Sequence, residues 1–144
     1  MNEISVRVAD WHRDYPDLRR IREAVFVVEQ AVPPEQEWDG DDEHAVHFLA
    51  CEGEFAVGTA RLTPDGHIGR VAVLKDWRGL SIGEALLQAA IAQAARQGLG
   101  ELKLTAQVQA RAFYERQGFE VVSDEFVEAG IAHVDMLRRA RLAV

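Results

Sequence analysis

The sequence predicts an α+β fold in which helices pack against a mixed, twisted β-sheet, and three observations lead to it. Residues 46–52 and 55–63 are apolar runs joined by the tight turn E-G-E, which predicts an antiparallel hairpin. Residues 71–74 form a short apolar run typical of a buried strand, and a long alanine-rich segment with helical periodicity follows. The alternating segment 101–106 is reached through that helix, so we expect it to lie parallel to the buried strand.

Composition limits the class of protein. A chain of 144 residues, 48% hydrophobic and 28% charged, can bury a core, and we expect one domain over residues 1–144. The formal charge of −8 argues against a nucleic-acid partner and an anionic membrane partner. No run approaches the roughly 18 apolar residues of a membrane span. The first residues do not resemble a signal peptide, so we expect a cytoplasmic protein.

The single cysteine, Cys51, excludes an internal disulfide framework and a multi-cysteine metal site. Its apolar strand neighbourhood predicts a buried, inert thiol rather than an acyl-carrying nucleophile.

The first elements are a strand and a helix. Alternation of Ile4, Val6 and Val8 predicts a half-buried strand. Asp14 is predicted to cap a helix that ends before Pro33-Pro34. Its apolar face carries Leu18, Ile21, Val25 and Val28, and its opposite face carries Arg19, Arg22, Phe26, Glu29 and Gln30. The aromatic ring on the second face indicates that the helix is covered on both sides or lines a cleft.

The segment 35–43, E-Q-E-W-D-G-D-D-E, holds six acids and no base. It is either a solvated loop, the reading we favour, or a loop that attracts a cationic amine, with Trp38 as an apolar or cation–π surface. His44 and His47 raise the question of a metal site. We expect no metal there, because strand alternation places His47 on one face of the following strand.

The turn after the buried strand has the chemistry of an anion site. The first N–H groups of a helix lack intrahelical partners and lie at the positive end of its dipole. Arg78 adds a full charge, and Gly79 and Gly83 permit close approach to the backbone. In the alternative interpretation, Ser81 and Glu84 form a capping box that satisfies the helix end themselves.

The remaining pattern places Gly98 at the end of the long helix, where a left-handed residue is common. A short helix over residues 109–117, a strand over 119–122 and a last strand over 132–137 complete the chain.

Two stretches carry a family resemblance. R-V-A-V-L-K-D-W-R-G-L-S-I-G-E-A-L-L and L-T-A-Q-V-Q-A-R-A-F-Y-E-R-Q-G-F resemble the GNAT superfamily of acetyl-CoA-dependent N-acetyltransferases. The flanks R-E-A-V-F-V-V-E-Q-A-V-P and F-V-E-A-G-I-A-H-V-D-M resemble its small ElaA-like and YjcF-like members. The resemblance covers most of the chain and implies the acyl-CoA N-acyltransferase fold. That fold has about seven strands and about four helices, splayed between the central strand and the next parallel strand, with CoA in the gap.

The resemblance also implies a cofactor site. The pyrophosphate turn of the family corresponds to Arg78, Gly79, Leu80, Ser81, Ile82 and Gly83. Ser81 replaces an expected glycine, which restricts φ and puts the strength of CoA binding in question. The backbone of Val71, Ala72 and Val73 is expected to pair with the pantetheine arm, and an N–H near Val73 to polarise the thioester carbonyl. Gln107 stands where many members have an asparagine that bonds the arm.

Three residues are the candidates for proton transfer. Tyr114 matches the tyrosine of the family, whose phenol donates a proton to the departing sulfur. Glu29 and His133, each in a segment that resembles the ElaA-like flanks, are candidates for the base that deprotonates the amine. A water-mediated route is a third option.

The function implied is transfer of an acetyl group from acetyl-CoA to a primary amine by direct attack on the thioester, without a metal. The acceptor is a small molecule or a peptide, and a homodimer is left open. Three alternatives remain: an acyl-CoA-binding module without turnover, an acyl-homoserine-lactone-synthase-like enzyme, and a nucleotide-binding α/β protein. The last does not explain Tyr114 or the flanks.

Overall fold

The computed structural model describes residues 3–38 and 40–140, and its elements follow the predicted order. The strands are β1 (Ile4–Ala9), β2 (Val46–Glu52), β3 (Phe55–Leu62), β4 (Ile68–Val73), β5 (Glu101–Gln107), β6 (Glu120–Val121), β7 (Phe126–Glu128) and β8 (Ile131–Arg139). The helices are α1 (Tyr15–Arg22), α2 (Pro34–Glu37), α3 (Ile82–Arg96) and α4 (Arg111–Arg116). A π-helical turn (Glu23–Glu29) continues α1, and short 3-10 turns lie at Asp42–His44, Lys75–Trp77 and Val108–Ala110.

The strands form two four-stranded sheets that separate between β4 and β5. One sheet is antiparallel in the order β1-β2-β3-β4, and in the other β8 pairs with β5, β6 and β7. A parallel bridge between His67 and Lys103 joins the two sheets, and the Lys103 N–H donates to the Gly66 carbonyl at 2.9 Å. Within the described residues β4 and β5 pair nowhere else, so they diverge from this point. The predicted α+β fold and its splay are confirmed.

Strand β7 is an addition to the seven strands predicted. It has three residues, all exposed, so it gives no alternation of buried and exposed positions. Ala129 and Gly130, both with positive φ (52° and 77°), form the turn that joins it to β8. Alanine rarely occupies this conformation, so the hairpin has no strong turn signal in the sequence.

Helix α3 covers the first sheet and supplies much of the core. Leu86, Leu87 and Ala90 are fully buried, as their helical spacing predicts. The close approach depends on Gly58 in β3, where a Cβ would lie 2.9 Å from Leu86 Cδ1. The helix ends as predicted, with Gly98 at φ 74°. None of the helices described is both long and apolar enough to cross a membrane.

The first helix departs from the prediction in its last turn. Leu18, Ile21 and Val25 are buried as expected, but Val28 is 77% exposed. The Gln30 N–H donates to the Val25 carbonyl, a bond that spans five residues. This π-helical winding places more residues in each turn, so it rotates Val28 out of the apolar face.

Asp14 does not cap the helix with its side chain, contrary to the prediction. Its carboxylate instead accepts hydrogen bonds from Arg7 at 2.9 and 3.0 Å and from the Asp10 N–H at 2.8 Å. These donors hold the pKa of Asp14 well below its usual range. The side chain therefore ties β1 to the start of α1.

Candidate active site

A cleft of about 530 Å³ occupies the gap between the diverging strands. Strand β4 forms one wall, and β5 with α4 forms the other. The end of the first helix and the β7–β8 turn complete the lining. The residues that line the cleft include Phe26, Gln30, Val32, Glu37, His67, Arg70, Val71, Gln107, Tyr114, Ile131 and His133.

Strand β4 carries a bulge where it faces the cleft. Its register against β3 shifts between Thr59 and Arg61, and Arg70 has a positive φ of 51°. The Thr59 hydroxyl donates to the Arg70 carbonyl at 2.8 Å and fixes the bulge. Beyond the bridge at His67, no described strand pairs with the cleft edge of β4. An extended ligand can therefore add to that edge as another strand does.

The three predicted β4 residues differ in exposure. Val71 lines the cleft, Val73 is half-buried, and Ala72 is 3% exposed, with its side chain in the core under the first helix. Ala72 thus offers only its backbone to a ligand, which is the role that the resemblance implies for all three.

The turn before α3 presents a row of backbone donors. In residues 3–38 and 40–140, no backbone carbonyl accepts a hydrogen bond from the N–H groups of residues 79–83. Gly79 and Ser81 both have positive φ, 80° and 62°. The Ser81 side chain makes no capping bond, so the alternative capping-box interpretation is wrong.

The backbone at the start of α3 is uncrowded at Gly83. A Cβ added at Gly83 would meet only the Phe113 ring at 3.9 Å and Val73 at 4.0 Å, which are ordinary contact distances. Gly83 therefore keeps open a space that a side chain would fill. Leu80 is 58% exposed beside it, whereas Ile82 is buried and anchors the start of α3.

Arg78 donates three hydrogen bonds to other described residues. Its Nη1 and Nη2 atoms donate to the two carboxylate oxygens of Glu29 at 2.6 and 2.7 Å. Its Nε donates to the Val73 carbonyl at 3.0 Å. The hydrogen bonds from Arg78 lower the pKa of Glu29. A carboxylate held in this way is a weak proton acceptor, which counts against Glu29 as the base.

Tyr114 lies on α4 in the opposite wall. Its ring makes edge contacts with Phe113 and Phe119, at centroid distances of 5.0 and 6.1 Å. Burial raises the pKa of Tyr114 to about 12, because the phenolate is poorly solvated there. The phenol stays protonated at neutral pH and can donate a proton within the cleft.

Gln107 ends β5 and connects the two sides of the cleft. Its Nε2 donates to Oε1 of Gln30, at the end of the first helix, at 3.0 Å. The sequence predicted that Gln107 faces a ligand. It gave no indication that Gln30 fixes the orientation of the Gln107 amide.

Two histidines line the cleft, and sequence analysis proposed only one of them. The His133 Nδ1 atom lies 2.7 Å from the Ile131 carbonyl, which can only accept, so Nδ1 carries a proton and Nε2 is the nitrogen that is an acceptor in the neutral tautomer. The His133 ring stacks on Phe126.

His67 lies where β4 and β5 diverge. Burial lowers the pKa of His67, so its ring is neutral at pH 7. No local sequence pattern indicates that His67 lies at the point where the two strands separate.

The acidic segment is buried in part, so neither interpretation describes the whole of it. Glu37 and Asp42 are 3% and 5% exposed. Arg22 donates to Glu37 Oε2 at 2.6 Å and to Asp42 Oδ1 at 2.9 Å, and Arg61 donates to the same Asp42 oxygen at 3.1 Å. Gly40, Asp41 and Glu43 are exposed, so the predicted solvated loop holds for that part of the segment. Glu37 and Asp42 are internal ion-pair partners and are not free acids for a cationic amine. Asp39 lies outside the described residues.

The remaining candidates from the sequence have structural roles. Trp38 lies under the Arg22 guanidinium at 4.6 Å, so its cation–π partner is internal. His47 is buried, stacks on Trp11 at 4.6 Å and donates to the Asp42 carbonyl at 2.8 Å. No group of three or more metal-ligating side chains occurs in the part of the chain that the structure describes. Cys51 is buried, and burial raises the pKa of its thiol.

Comparison with known proteins agrees with this arrangement. Residues 14–140 match the family model described as an acetyltransferase (GNAT) domain. The Bacillus subtilis (strain 168) protein named "Uncharacterized N-acetyltransferase YjcF" is 38% identical over 126 residues, which are 85% of this chain and 90% of that protein.

Two solved structures share the fold over nearly their whole length. An acyl-CoA N-acyltransferase from Pseudomonas aeruginosa superposes with a TM-score of 0.83 at 30% identity, covering 96% of this chain and 99% of that one. Escherichia coli ElaA superposes with a TM-score of 0.82 at 29% identity, covering 96% and 100%.

Proposed function

The chain belongs to the GNAT acetyltransferase family, and from that membership we propose that it transfers the acetyl group of acetyl-CoA to a primary amine. One observation carries the proposal. The cleft has an unpaired strand edge on β4 and a protonated tyrosine on α4, and the N-terminus of the 15-residue helix α3 lies beside them, where Gly83 approaches Val73 and Phe113. These are the groups needed to hold a long phosphorylated thioester and to release its thiol.

The residues present fit CoA. The N–H groups of residues 79–83 and the guanidinium of Arg78 supply donors for the pyrophosphate. The cleft edge of β4, at Val71 and at the N–H of Val73, supplies backbone groups for the amides of the pantetheine arm, while the Val73 carbonyl accepts from Arg78. Gln107, whose amide is fixed by Gln30, supplies a further hydrogen bond from the other wall. Bound acetyl-CoA supplies an acyl group activated as a thioester.

Proton transfer is assigned to Tyr114 and His133, which both line the cleft. The leaving group departs as a thiolate, whose conjugate thiol has a reference pKa of about 8.5. Protonation of this thiolate favours its release. Tyr114 is the donor, because its phenol is protonated and lines the cleft. A backbone N–H near Val73 would stabilise the negative charge that develops on the carbonyl oxygen.

We assign the base to His133 rather than to Glu29. The bond from Nδ1 to the Ile131 carbonyl leaves Nε2 of His133 as an acceptor in the wall of the cleft. Glu29 is held by Arg78 and has a lowered pKa. His67, the other imidazole in the lining, is the competing assignment.

The acceptor is proposed to enter between the end of the first helix and the β7–β8 turn. Phe26 and Val32 on one side and Ile131 on the other give this part of the cleft apolar surface. A small molecule or a peptide with a primary amine fits these walls.

Release of free CoA thiol from acetyl-CoA in the presence of a panel of amines tests the proposal. The panel contains amino acids, diamines, aromatic amines and peptides, and mass spectrometry identifies any acetylated product. Acceptor-dependent release with formation of an amide supports an acetyltransferase. Heat stabilisation by CoA without release for any amine would indicate an acyl-CoA-binding module instead.

The same assay separates the candidate bases. We expect His133→Gln to lower kcat/KM by roughly 10²-fold or more, and His67→Gln to have a smaller effect. The reverse order would assign the base to His67.

A further inference from the structure

The ion pair between Glu29 and Arg78 links two segments that are 49 residues apart in sequence. Glu29 ends the π-helical turn, and Arg78 begins the turn that leads into α3. Both side chains are about two-fifths exposed, at 39% and 41%. Solvent and a ligand can therefore reach the pair.

The contact uses the part of Arg78 that recognises phosphate. Both terminal nitrogens donate to Glu29 in a two-point arrangement, and Nε is held by the Val73 carbonyl. A phosphate group uses the same two-point arrangement on a guanidinium. Glu29 also places a negative charge beside the row of N–H donors, which repels a pyrophosphate.

We propose that Glu29 competes with the cofactor pyrophosphate for Arg78 and thereby weakens CoA binding. The inference rests on the proposed function, because it requires CoA to bind with its pyrophosphate at residues 78–83. When CoA binds, the guanidinium exchanges one anionic partner for another, and the Glu29 carboxylate becomes solvated. Glu29 thus acts as a determinant of cofactor affinity, which differs from the role of base considered for it in the sequence.

A neighbouring hydrogen bond keeps the end of the first helix in place when pyrophosphate replaces Glu29 on Arg78. Gln30 follows Glu29 directly and accepts a hydrogen bond from Gln107 on the other side of the cleft. The hydrogen bond between Gln30 and Gln107 therefore still connects the end of the first helix to β5 when the ion pair between Arg78 and Glu29 breaks.

Calorimetric titration with CoA tests the proposal on Glu29→Gln, which keeps the shape of the side chain and removes its charge. We expect CoA to bind about two to five times more tightly than to the wild type, the upper part of the range for loss of one exposed competing ion pair. The gain should shrink as salt is added, because exposed charges are screened.

Glu23→Gln is the matched control. Glu23 lies on the same helix, is 42% exposed and pairs with Arg19 at 2.8 Å. The variant makes the same change in net charge without touching Arg78. We expect its CoA affinity to stay within about twofold of the wild type, since distant exposed charges are screened.

Arg78→Gln provides a second test by a double-mutant cycle. If Glu29 acts through Arg78, Glu29→Gln should have no effect on CoA affinity in the Arg78→Gln background. A gain that persists in that background would overturn the proposal.

Equal or weaker CoA binding by Glu29→Gln would also overturn it, and would show that Glu29 pre-positions Arg78 for the phosphate. Absence of CoA binding by the wild type, by Glu29→Gln and by Glu23→Gln would instead refute the proposed function, so the two failures are distinguishable.

Discussion

Arg22 is predicted to be the main anchor of the segment that joins the first helix to β2. Its side chain is 1% exposed and donates to Glu37 and Asp42, with a third bond to the Glu37 carbonyl at 3.0 Å. Arg22→Met keeps most of the apolar stem but leaves two buried carboxylates with fewer donors. Breaking a buried pair by removing one partner costs about 3–5 kcal/mol.

The structure places the expected loss at the lower end of that range. Asp42 retains Arg61 at 3.1 Å, and Glu37 retains Arg70 at 3.1 Å, so neither carboxylate loses every cation. We therefore expect Arg22→Met to lower the free energy of unfolding by about 3 kcal/mol. For a chain of this size that corresponds to a fall in Tm of roughly 10 °C.

Urea unfolding and a thermal scan measure both quantities. Arg111→Met is the control, because Arg111 pairs with Glu115 one helical turn away and both are exposed, at 51% and 44%. It should cost no more than about 0.5 kcal/mol. An Arg22→Met variant that loses no more stability than Arg111→Met would refute the conclusion that the buried charges hold this segment in place.

Two further predictions concern packing and pH. Gly58→Ala should cost about 1–3 kcal/mol in urea unfolding, because its Cβ would lie 2.9 Å from Leu86 and 3.1 Å from the Ala72 carbonyl. Gly100→Ala, where a Cβ meets nothing within 4 Å, should stay within about 0.5 kcal/mol, and an equal loss at both sites would contradict the packing argument. The pKa of Asp14 is lowered from 3.8, so this carboxylate stabilises the fold above about pH 4 and the contribution is lost as pH falls. Asp14→Asn should therefore be less stable than the wild type at pH 7 and should lose less stability between pH 5 and pH 3, and parallel pH curves would contradict this assignment.

Much of the fold could be predicted because its strands and long helix have strong local patterns. Alternation identified β1, the apolar hairpin identified β2 and β3, and the spacing of Leu87, Ala90 and Ala94 identified α3. The parallel relation of β4 and β5 followed from their connection through α3. Val28 was assigned to the wrong face because the π-helical winding depends on tertiary contacts and leaves no periodic signal.

The candidate site was predicted less completely, for a physical reason. Tyr114, His133, Gln107 and Val71 lie in local motifs, and the structure brings all four to one cleft. The acidic segment looked solvated because its partner Arg22 lies 15 to 20 residues away from its buried acids. Pairing over such separations is set by the fold, and composition alone does not reveal it.

The position of His67 is likewise set by the fold and could not be predicted from the sequence. Sequence analysis did not propose His67 as a site residue, yet it lies at the point where β4 and β5 diverge and lines the cleft. Such a position becomes visible only when both strands are placed.

The most direct test of the central claim is kcat/KM for acetyl-CoA in Tyr114→Phe, measured by thiol release with an amine identified from the panel. Tyr15→Phe is the matched control, since it removes the same hydroxyl from the other tyrosine of the chain. We predict a loss of roughly 10²-fold or more for Tyr114→Phe and a change within about twofold for Tyr15→Phe. Equal activity of the two variants would contradict the account, because the phenol in the cleft would then have no part in releasing the thiol.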